Sequence, residues 1–385
     1  MANLLAERGD PADATDLRLV AADADEGLAS VLVAVDQGLV VSTATLLRET
    51  VMVEGIALPA AQVEMVATAP SHEGRGLVRS LMELAHTMSR DRGDVVQVMI
   101  GIPFFYRQFG YSYSMRIPFA RELRSVPADD PSTIVRLATA ADVEMMDALQ
   151  RQEQRRVDVS MPHSPGCWRW LLARDGSAQW VAERDGVVVA TGRATPPHEG
   201  VVLGELAGEV RGIDALLAHA HRVGISAGKS PAVVMERPGT AVHDVLDPLL
   251  ALVERPDAMG DWYYARIERL GPVLETLRPV LGRRWLEAGG GEHDMMISSF
   301  RSHVRFHLGT DGMGGVVEAG PLQAPVSAGG SGVPPDALPS MVLGPFGATG
   351  LEERHPDMML GQQREMMGVL FPPVQADILT FYLPV

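Results

Sequence analysis

The segment at residues 66–79, VATAPSHEGRGLVR, constrains the fold most, because it joins a β-type apolar run to a helix through a glycine-containing turn. The run VEMVAT at 63–68 predicts a strand, and Pro70 ends it. Gly74 and Gly76 let the backbone turn tightly enough for successive N–H groups to converge. From residue 77 apolar side chains recur at helical spacing, which places those N–H groups at a helix N-terminus. The segment therefore predicts an anion site that would fit a pyrophosphate.

A turn of this kind is a weak signal on its own, because an ordinary strand-to-helix connection explains it equally well. The chain after the helix adds two further segments. An apolar run, DVVQVMIGI at 94–102, predicts a second strand, and an aromatic cluster, PFFYRQFGYSYSM at 103–115, surrounds Tyr106. Together with the loop, these segments resemble the GNAT acetyltransferases. The resemblance implies an α/β (α+β) fold that takes acetyl-CoA as a co-substrate.

The resemblance also implies roles for particular residues. In the family, a loop of the form Arg/Gln-x-x-Gly-x-Gly/Ala holds the pyrophosphate of acetyl-CoA, and a Phe-Tyr-x-x-Phe-Gly-Phe/Tyr segment carries a catalytic tyrosine. Residues 73–78 read EGRGLV here, and residues 105–111 read FYRQFGY. Tyr106 is thus implied as the general acid for the coenzyme A thiolate, although a merely packed aromatic would read the same. The implied coenzyme contacts are Val66, Ala67 and Thr68 for the pantetheine amides, Gly74, Arg75, Gly76, Leu77, Val78 and Arg79 for the pyrophosphate, and Gly101 and Ile102 for the pantetheine tunnel.

Two loop residues depart from the general family pattern. Glu73 stands where a basic or amide residue is usual, and a carboxylate beside a pyrophosphate is unfavourable unless it points away. Arg75 or Arg79 would then have to neutralise the phosphates, and weaker coenzyme affinity is expected. Val78 replaces a small residue, but a bulkier aliphatic followed by arginine is usual in the enhanced intracellular survival (Eis) branch. The chain resembles that branch more closely than the family at large.

The general base has two candidates. In the Eis branch the terminal carboxylate of the chain takes the proton from the amine, which implies Val385 here. Residues 378–385, ILTFYLPV, are apolar enough to be buried, and a buried carboxylate would be costly unless it were paired. A docked or frayed tail explains the same residues equally well. Glu64, on the same strand face as Val66 and Thr68, is the alternative base and ranks lower, because a residue there can simply face solvent.

The chain as a whole divides into three units. With 385 residues it is too long for one GNAT domain. After a linker at 127–134 the pattern of the first unit repeats in outline, which indicates an internal duplication. The second copy has no GxG loop and no aromatic cluster, so it should bind no second coenzyme. The last third resembles the sterol-carrier-protein-like C-terminal domain of Eis-type enzymes. We therefore expect tandem GNAT-like domains at 1–126 and 127–260, the second degenerate, and a sterol-carrier-like domain at 261–385.

The segment before the first hairpin is short for a GNAT domain. The family usually has a strand and one or two helices there, whereas about thirty residues, partly Asp-rich, are available here. We expect LRLVAAD at 17–23 to be a remnant of that strand. Since the missing helices help to shape the acceptor site, the sequence leaves the substrate pocket undefined.

The composition limits the kinds of molecule that the chain is expected to bind. The net charge of −16 and a single lysine, Lys229, argue against nucleic acid, whose phosphates need clustered cations, and favour a cationic substrate. No run of eighteen apolar residues predicts a membrane span, and the N-terminus does not read as a secretory signal. The one cysteine, Cys167, reads as a small buried hydrophobe in a reducing cytosol. The HxxxH and HxH spacings lack supporting ligands, so no metal is expected.

The sequence therefore predicts a cytoplasmic, acetyl-CoA-dependent N-acetyltransferase that acts on a primary amine of a small cationic acceptor such as an aminoglycoside or polyamine. The resemblance also implies a homo-oligomer. A rival hypothesis is a GNAT-scaffold binding or regulatory protein, in which Glu73 and the short N-terminus mark lost activity. A third hypothesis is that the C-terminal domain binds an apolar ligand.

Overall fold

The computed structural model describes residues 1–8, 11–128, 130–197, 200–229, 231–252 and 261–381. Within these residues the chain forms three β-sheets, with helices packed against them. The strands are β1 Val31–Asp36, β2 Leu39–Val53, β3 Ile56–Thr68, β4 Val96–Met99, β5 Ser112–Arg116, β6 Ala120–Glu122, β7 Thr133–Leu137, β8 Val159–Met161, β9 Ala178–Arg184, β10 Val187–Ala194, β11 Val202–Gly208, β12 Val233–Met235, β13 Trp262–Arg266, β14 His293–Ser298, β15 His303–Gly309, β16 Gly312–Met313, β17 Val317–Ala319, β18 Ser331–Gly332 and β19 Ala376–Ile378. The α-helices are α1 Ala2–Arg8, α2 Pro11–Ala22, α3 Leu77–Arg92, α4 Val143–Gln154, α5 Pro165–Ala173, α6 Val210–Ser226, α7 Ala241–Leu246, α8 Leu270–Glu287, α9 Leu338–Leu343, α10 Gly347–Glu352 and α11 Arg364–Leu370.

The first sheet has the order β19-β8-β2-β3-β4-β13-β5, with β1 paired to the beginning of β2. Strands β1 to β3 form an antiparallel meander. Helix α3 then returns the chain so that β4 lies parallel to β3. The helix buries Leu81, Met82 and Ala85 against the sheet. This β3-α3-β4 unit positions the predicted phosphate loop.

The second sheet repeats the topology of the first. Its order is β6-β12-β11-β10-β9-β7, and β11, α6 and β12 follow one another as β3, α3 and β4 do. Each copy also has a bulge in the strand before its helix. Met65 in β3 has a φ of 53°, and Glu205 in β11 has a φ of 52°. The internal duplication predicted from the sequence is therefore present in the topology.

Four strands cross the predicted boundaries. Two of them, β8 and β19, extend the first sheet beyond β2. β13 follows the second copy along the chain but lies between β4 and β5 of the first sheet. β6 precedes the second copy but forms an edge of the second sheet, beside β12. The ranges 1–126, 127–260 and 261–385 stay a prediction about domains, since a sheet can draw a strand from a neighbouring domain.

The N-terminal segment corrects one expectation. LRLVAAD at 17–23 is not a remnant strand, because residues 17–22 belong to α2. Alanine and leucine favour a helix in this segment, and Ala14, Leu17 and Val20 recur at helical spacing and are buried. Both α1 and α2 pack on the first sheet, in one apolar cluster with Leu47 of β2. The chain thus has two helices before its first hairpin.

The last third forms a third sheet, with the order β16-β15-β14-β18 and β17 paired to β15. Helix α8 covers it with a buried apolar stripe that includes Val273, Leu277 and Val280. The same apolar core contains Val51 and Val98 of the first sheet, so the last third and the first sheet are packed together. No helix in the described part of the chain is both long and apolar enough to cross a membrane.

Candidate active site

The first sheet opens at the end of β3. A β-bulge lies there, where residues 65 and 66 together face a single residue of β2. On the other edge β3 pairs with β4 only through residues 60–62. The two strands diverge beyond these residues, and the backbone of residues 63–68 meets no described strand on that edge.

A cavity of about 730 Å³, hereafter the main cavity, occupies this opening. The end of β3, the loop before α3, the residues after β4 and the 3₁₀ helix Phe105–Phe109 form its walls. Most of the residues predicted from the sequence meet here. Those that line the cavity are Val66, Ala67, Thr68, Gly74, Gly76, Leu77, Val78, Arg79, Gly101, Ile102 and Tyr106.

The loop between β3 and α3 presents backbone N–H groups to the main cavity. Gly74 (φ 73°) and Gly76 (φ 78°) both take the left-handed conformation that glycine adopts without strain. Gly76 caps α3, and its carbonyl accepts a helical bond from Ser80 N (3.1 Å). The N–H groups of the first turn lack helical partners, and that turn carries no acidic residue. A helix that begins in this way attracts an anion.

Asp36, at the end of β1, holds the loop in place. Its Oδ2 atom lies 3.0 Å from His72 Nε2 and 3.6 Å from Arg75 Nη1. Arg75 therefore points toward the β1–β2 hairpin, and of the predicted coenzyme residues it is the one that does not line the main cavity. Its ion pair is half exposed, so its contribution to stability is small.

Arg79 is the arginine of the loop region that lies at the cavity. It donates a hydrogen bond to Gln108 Oε1 (2.9 Å), and its guanidinium carbon lies 5.4 Å from the centroid of the Phe109 ring. Glu73, the residue that departs from the family pattern, also lines the cavity. The entrance thus carries one cation and one carboxylate beside the helix N-terminus.

Tyr106 lies in the 3₁₀ helix with only 5% of its surface exposed. Gly101 makes room for it, because a Cβ atom at that position would lie 2.3 Å from the ring carbon Cε2. Burial, followed by the nearby Glu64 carboxylate, raises the pKa of Tyr106 to about 12. The hydroxyl makes no hydrogen bond to any residue that the structure describes. Tyr106 is therefore a protonated donor with free hydrogen-bonding capacity at neutral pH.

Glu64 lines the main cavity from β3 and is only 7% exposed, so it does not simply face solvent. Gln62 Nε2 donates to Glu64 Oε1 (2.6 Å). Burial raises the pKa of Glu64 to about 8, the bond from Gln62 opposes that shift, and Asp13 adds to it. Glu64 can therefore exchange a proton near neutral pH. Within the described residues, no group of three or more His, Cys, Asp or Glu side chains could hold a metal ion.

The wall formed by the N-terminal helices was not predicted from the sequence. Leu5 of α1 and Asp13 of α2 both line the main cavity. The apolar spacing of residues 14, 17 and 20 was the available signal for a helix there, but it is too short to be distinctive. Asp13 thus adds a third carboxylate to the lining, after those of Glu64 and Glu73.

Val385 lies outside the described residues. The described part of the tail ends at Phe381, whose carbonyl accepts a hydrogen bond from Arg193. The Phe381 side chain shares an apolar cluster with Leu5 and Met65, which both line the main cavity. The described tail therefore ends behind the wall of the cavity.

In the second copy, the position that corresponds to the main cavity is filled by side chains of the protein itself. Glu205, in the bulge of β11, contacts His163 Nε2 (3.0 Å) and Arg193 Nη1 (3.0 Å). Burial raises the pKa of Glu205, but these two neighbours outweigh it and lower the value to about 2. Arg237 binds Asp377 of the tail at 2.7 Å. Only about 20 Å³ remains open there.

Comparison with known proteins agrees with this geometry. Residues 12–114 match the family model described as an acetyltransferase (GNAT) domain. No curated protein matches the chain by sequence. Among solved structures, a GCN5-related N-acetyltransferase from Anabaena variabilis is 13% identical, with a TM-score of 0.69 over 99% of this chain and 96% of that one. Eis1 from Mycobacterium abscessus is 17% identical, with a TM-score of 0.57 over 92% of this chain and 91% of that one.

The structure of a probable N-acyltransferase from Enterococcus faecalis is similar as well. It is 14% identical, with a TM-score of 0.68 over 98% of this chain and 96% of that one. At such identities the likeness concerns the fold, which these structures share along nearly the whole chain. The match to the family model goes further for the first domain. Residues 12–114 form an acetyltransferase domain of the GNAT family, which confirms the prediction of an N-acetyltransferase.

Proposed function

We propose that the protein transfers an acetyl group from acetyl-CoA to a primary amine of a small cationic acceptor, as an Eis-like enzyme with an aminoglycoside- or polyamine-like substrate. The observation that carries this proposal is the main cavity. A helix N-terminus, a phenol and a titratable carboxylate line one space of about 730 Å³. Those are the groups that acetyl transfer to an amine requires.

The coenzyme would enter along the opened edge of β3. The N–H groups at the start of α3 would bind its pyrophosphate, and Arg79 would supply the positive charge, since Arg75 is engaged by Asp36. The backbone of Val66, Ala67 and Thr68 would pair with the pantetheine amides as an added strand does, and one N–H group would face the thioester oxygen. Gly101 and Ile102 would line the opposite wall.

The reaction would be a direct transfer. The neutral amine nitrogen attacks the thioester carbon, the C–S bond breaks, and the acetyl group remains on nitrogen. Glu64 takes the proton that the amine loses, and Tyr106 gives a proton to the departing thiolate. The raised pKa of Glu64, about 8, suits a base that acts near neutral pH. The terminal carboxylate of Val385 is the other candidate base.

A cationic acceptor fits the charge of the cavity. Glu64 and Asp13 both face it, and the chain carries a net charge of −16. The Asp13 carboxylate favours a substrate that carries an ammonium group besides the amine that reacts, because a carboxylate can neutralise that charge.

Calorimetry with acetyl-CoA, followed by turnover with a panel of amines, tests the proposal. We expect acetyl-CoA to bind and polyamines or aminoglycosides to be acetylated. Tyr106→Phe should lower kcat while leaving the Kd for acetyl-CoA nearly unchanged. A protein that binds no acetyl-CoA would end the enzyme hypothesis.

The second candidate is a GNAT-scaffold protein that binds without catalysis, and Glu73 is the observation that favours it. A carboxylate in the lining should weaken pyrophosphate binding. In this case acetyl-CoA would bind, no amine in the panel would be acetylated, and Glu73→Gln would raise affinity without restoring turnover. Cytoplasmic location, homo-oligomeric assembly and a sterol-carrier-like last third remain predictions, and lipid that copurifies would support the last.

A further inference from the structure

A second hollow of about 580 Å³ lies beside the main cavity, hereafter the arginine cleft. Arg79, Gln108 and Phe109 line both spaces, so the cleft begins where the phosphate loop meets α3. Helix α3 and the segment after β13 form two walls. Residues of the third unit, at 299–302 and 335–338, close the cleft from the other side. Three parts of the chain that are distant in sequence thus meet there.

The cleft is rich in cations although the chain is acidic. Its carboxylates are Glu83 and Glu268. Glu268 is already engaged, because it lies 2.7 Å from Arg90 and 3.2 Å from Arg266. Burial and the nearby Arg266 lower the pKa of His86 to about 4, so this histidine is neutral. The arginines that line the cleft are Arg79, Arg107, Arg266, Arg269 and Arg301.

Two of these arginines have no counterion. Arg107 and Arg301 make no ion pair with any described residue. The Arg107 guanidinium carbon lies 5.5 Å from the centroid of the Phe104 ring and 5.2 Å from that of Tyr113. Arg301 follows Phe300, whose φ is 66°, in a turn closed by a backbone hydrogen bond of 2.8 Å. Two uncompensated guanidinium groups that face one cleft form a site for an anion.

We propose that the arginine cleft binds the 3′-phosphoadenosine end of the coenzyme and that Arg107 and Arg301 bind its 3′-phosphate. This inference rests on the proposed function, because acyl-CoA must first lie in the main cavity. The adenosine and its 3′-phosphate follow directly after the pyrophosphate in coenzyme A, so they lie within reach of the space next to the phosphate loop. Arg79, which lines both spaces, marks the passage.

The proposal gives the third unit a part in coenzyme recognition. Arg301 lies in the turn between β14 and β15, more than two hundred residues after the phosphate loop. A guanidinium group can bind a phosphate through two hydrogen bonds at once, which a neutral ribose hydroxyl does not reproduce. The site should therefore distinguish coenzyme A from 3′-dephospho-coenzyme A.

Calorimetry with these two compounds tests the proposal on the full chain. The wild-type protein should bind coenzyme A at least about 10-fold more tightly than 3′-dephospho-coenzyme A. Arg301→Gln and Arg107→Gln should each raise the Kd for coenzyme A by about 5- to 20-fold and change the Kd for the dephospho compound by less than about 2-fold. Arg305→Gln is the matched control. It removes the same charge from an exposed position in the same hairpin, outside the cleft, and should change neither Kd.

Equal affinity of the wild-type protein for both compounds would overturn the proposal and leave the proposed function standing. Equal loss of affinity for both compounds in Arg301→Gln would overturn it as well, because the residue would then only support the fold. A wild-type protein that binds neither compound would refute the proposed function, and this inference with it.

Discussion

At the scale of single residues, the surroundings of Glu64 determine its protonation state. Its pKa of about 8 means that the carboxyl is largely protonated at pH 6 and largely ionised above pH 9. A base must be ionised before it accepts a proton, so kcat/KM should rise with pH through the pKa of about 8 and level off about one unit above it. Glu64→Gln should lower kcat by about 100-fold and remove the inflection near pH 8, measured at saturating acetyl-CoA.

The control for this experiment is Glu49→Gln. Glu49 is also buried in the first sheet, and burial, with Glu26 and Glu64, raises its pKa, but it does not line the main cavity. Its loss should leave the rate unchanged. A Glu64→Gln enzyme that kept both its rate and its profile would show that the base is elsewhere, with Val385 as the remaining candidate.

Gly101 determines where the Tyr106 ring lies. A Cβ atom at residue 101 would lie 2.3 Å from the ring, which no packed structure tolerates, so Gly101→Ala must displace the phenol. We expect kcat to fall by about 10- to 100-fold, since small displacements of a catalytic group are costly. Gly291→Ala is the matched control, because no atom lies within 4 Å of its added Cβ.

The cause can be checked in a Tyr106→Ala background, where the ring that would clash is absent. There Gly101→Ala should lower kcat no further. An equal loss in both backgrounds would mean that Gly101 acts on the coenzyme and not through Tyr106.

At the scale of elements, α2 brings Asp13 to the main cavity. Its charge helps to raise the pKa of Glu64. Asp13→Asn should therefore move the rising limb of the pH profile to lower pH, and it should raise KM for a cationic acceptor by about 3- to 10-fold. The Kd for acetyl-CoA should not change.

Asp91→Asn provides the comparison, since Asp91 is exposed on α3 and lines neither hollow. A limb that stayed in place after Asp13→Asn would show that Asp13 does not act on Glu64. If KM did not change, Asp13 would no longer support a cationic acceptor.

The elements of the first unit could be predicted from the sequence because their signals are local. Continuous runs of apolar and β-branched residues give β1 to β3, and the glycines at 74 and 76 give the loop that begins α3. The N-terminal helices were missed, because acidic residues and Pro11 interrupt the apolar spacing of this segment. The burial of Glu64 was also missed, since the second side of the strand is covered by helices that the sequence did not reveal.

The pairing of strands that are far apart in the chain could not be predicted from local sequence patterns either. Nothing in the letters WYYAR indicates that β13 lies between β4 and β5, because the strand and its partners are far apart in the chain. Arg301 could not be assigned to the arginine cleft from sequence either. Tertiary packing, and not the pattern of any one segment, decides which distant residues share a space.

At the scale of the whole molecule, the duplicated fold is used in two ways. The first copy keeps its opening between strands as the main cavity, and the second closes the same opening around the tail. Arg237 is central to that closure, because it is buried and its Nη2 donates to Asp377 Oδ2 (2.7 Å). Its Nη1 donates to Gln150 Oε1 (2.7 Å) and to the carbonyl of Leu206 (2.7 Å). The tail is thereby fixed between the two copies.

Arg237→Met should destabilise the protein by about 3–5 kcal/mol, because Asp377 would be left as a buried carboxylate without a counterion. The double variant Arg237→Met/Asp377→Leu should regain most of that loss, since it removes both charges together. Urea unfolding of the full chain measures both effects, and calorimetry should show the same Kd for acetyl-CoA throughout, because neither residue lines the main cavity. Equal destabilisation in the single and double variants would show that the two charges are not coupled. The second copy would then hold the tail by its apolar contacts, chiefly those of Phe381 with Trp170, whose ring centroids lie 5.7 Å apart.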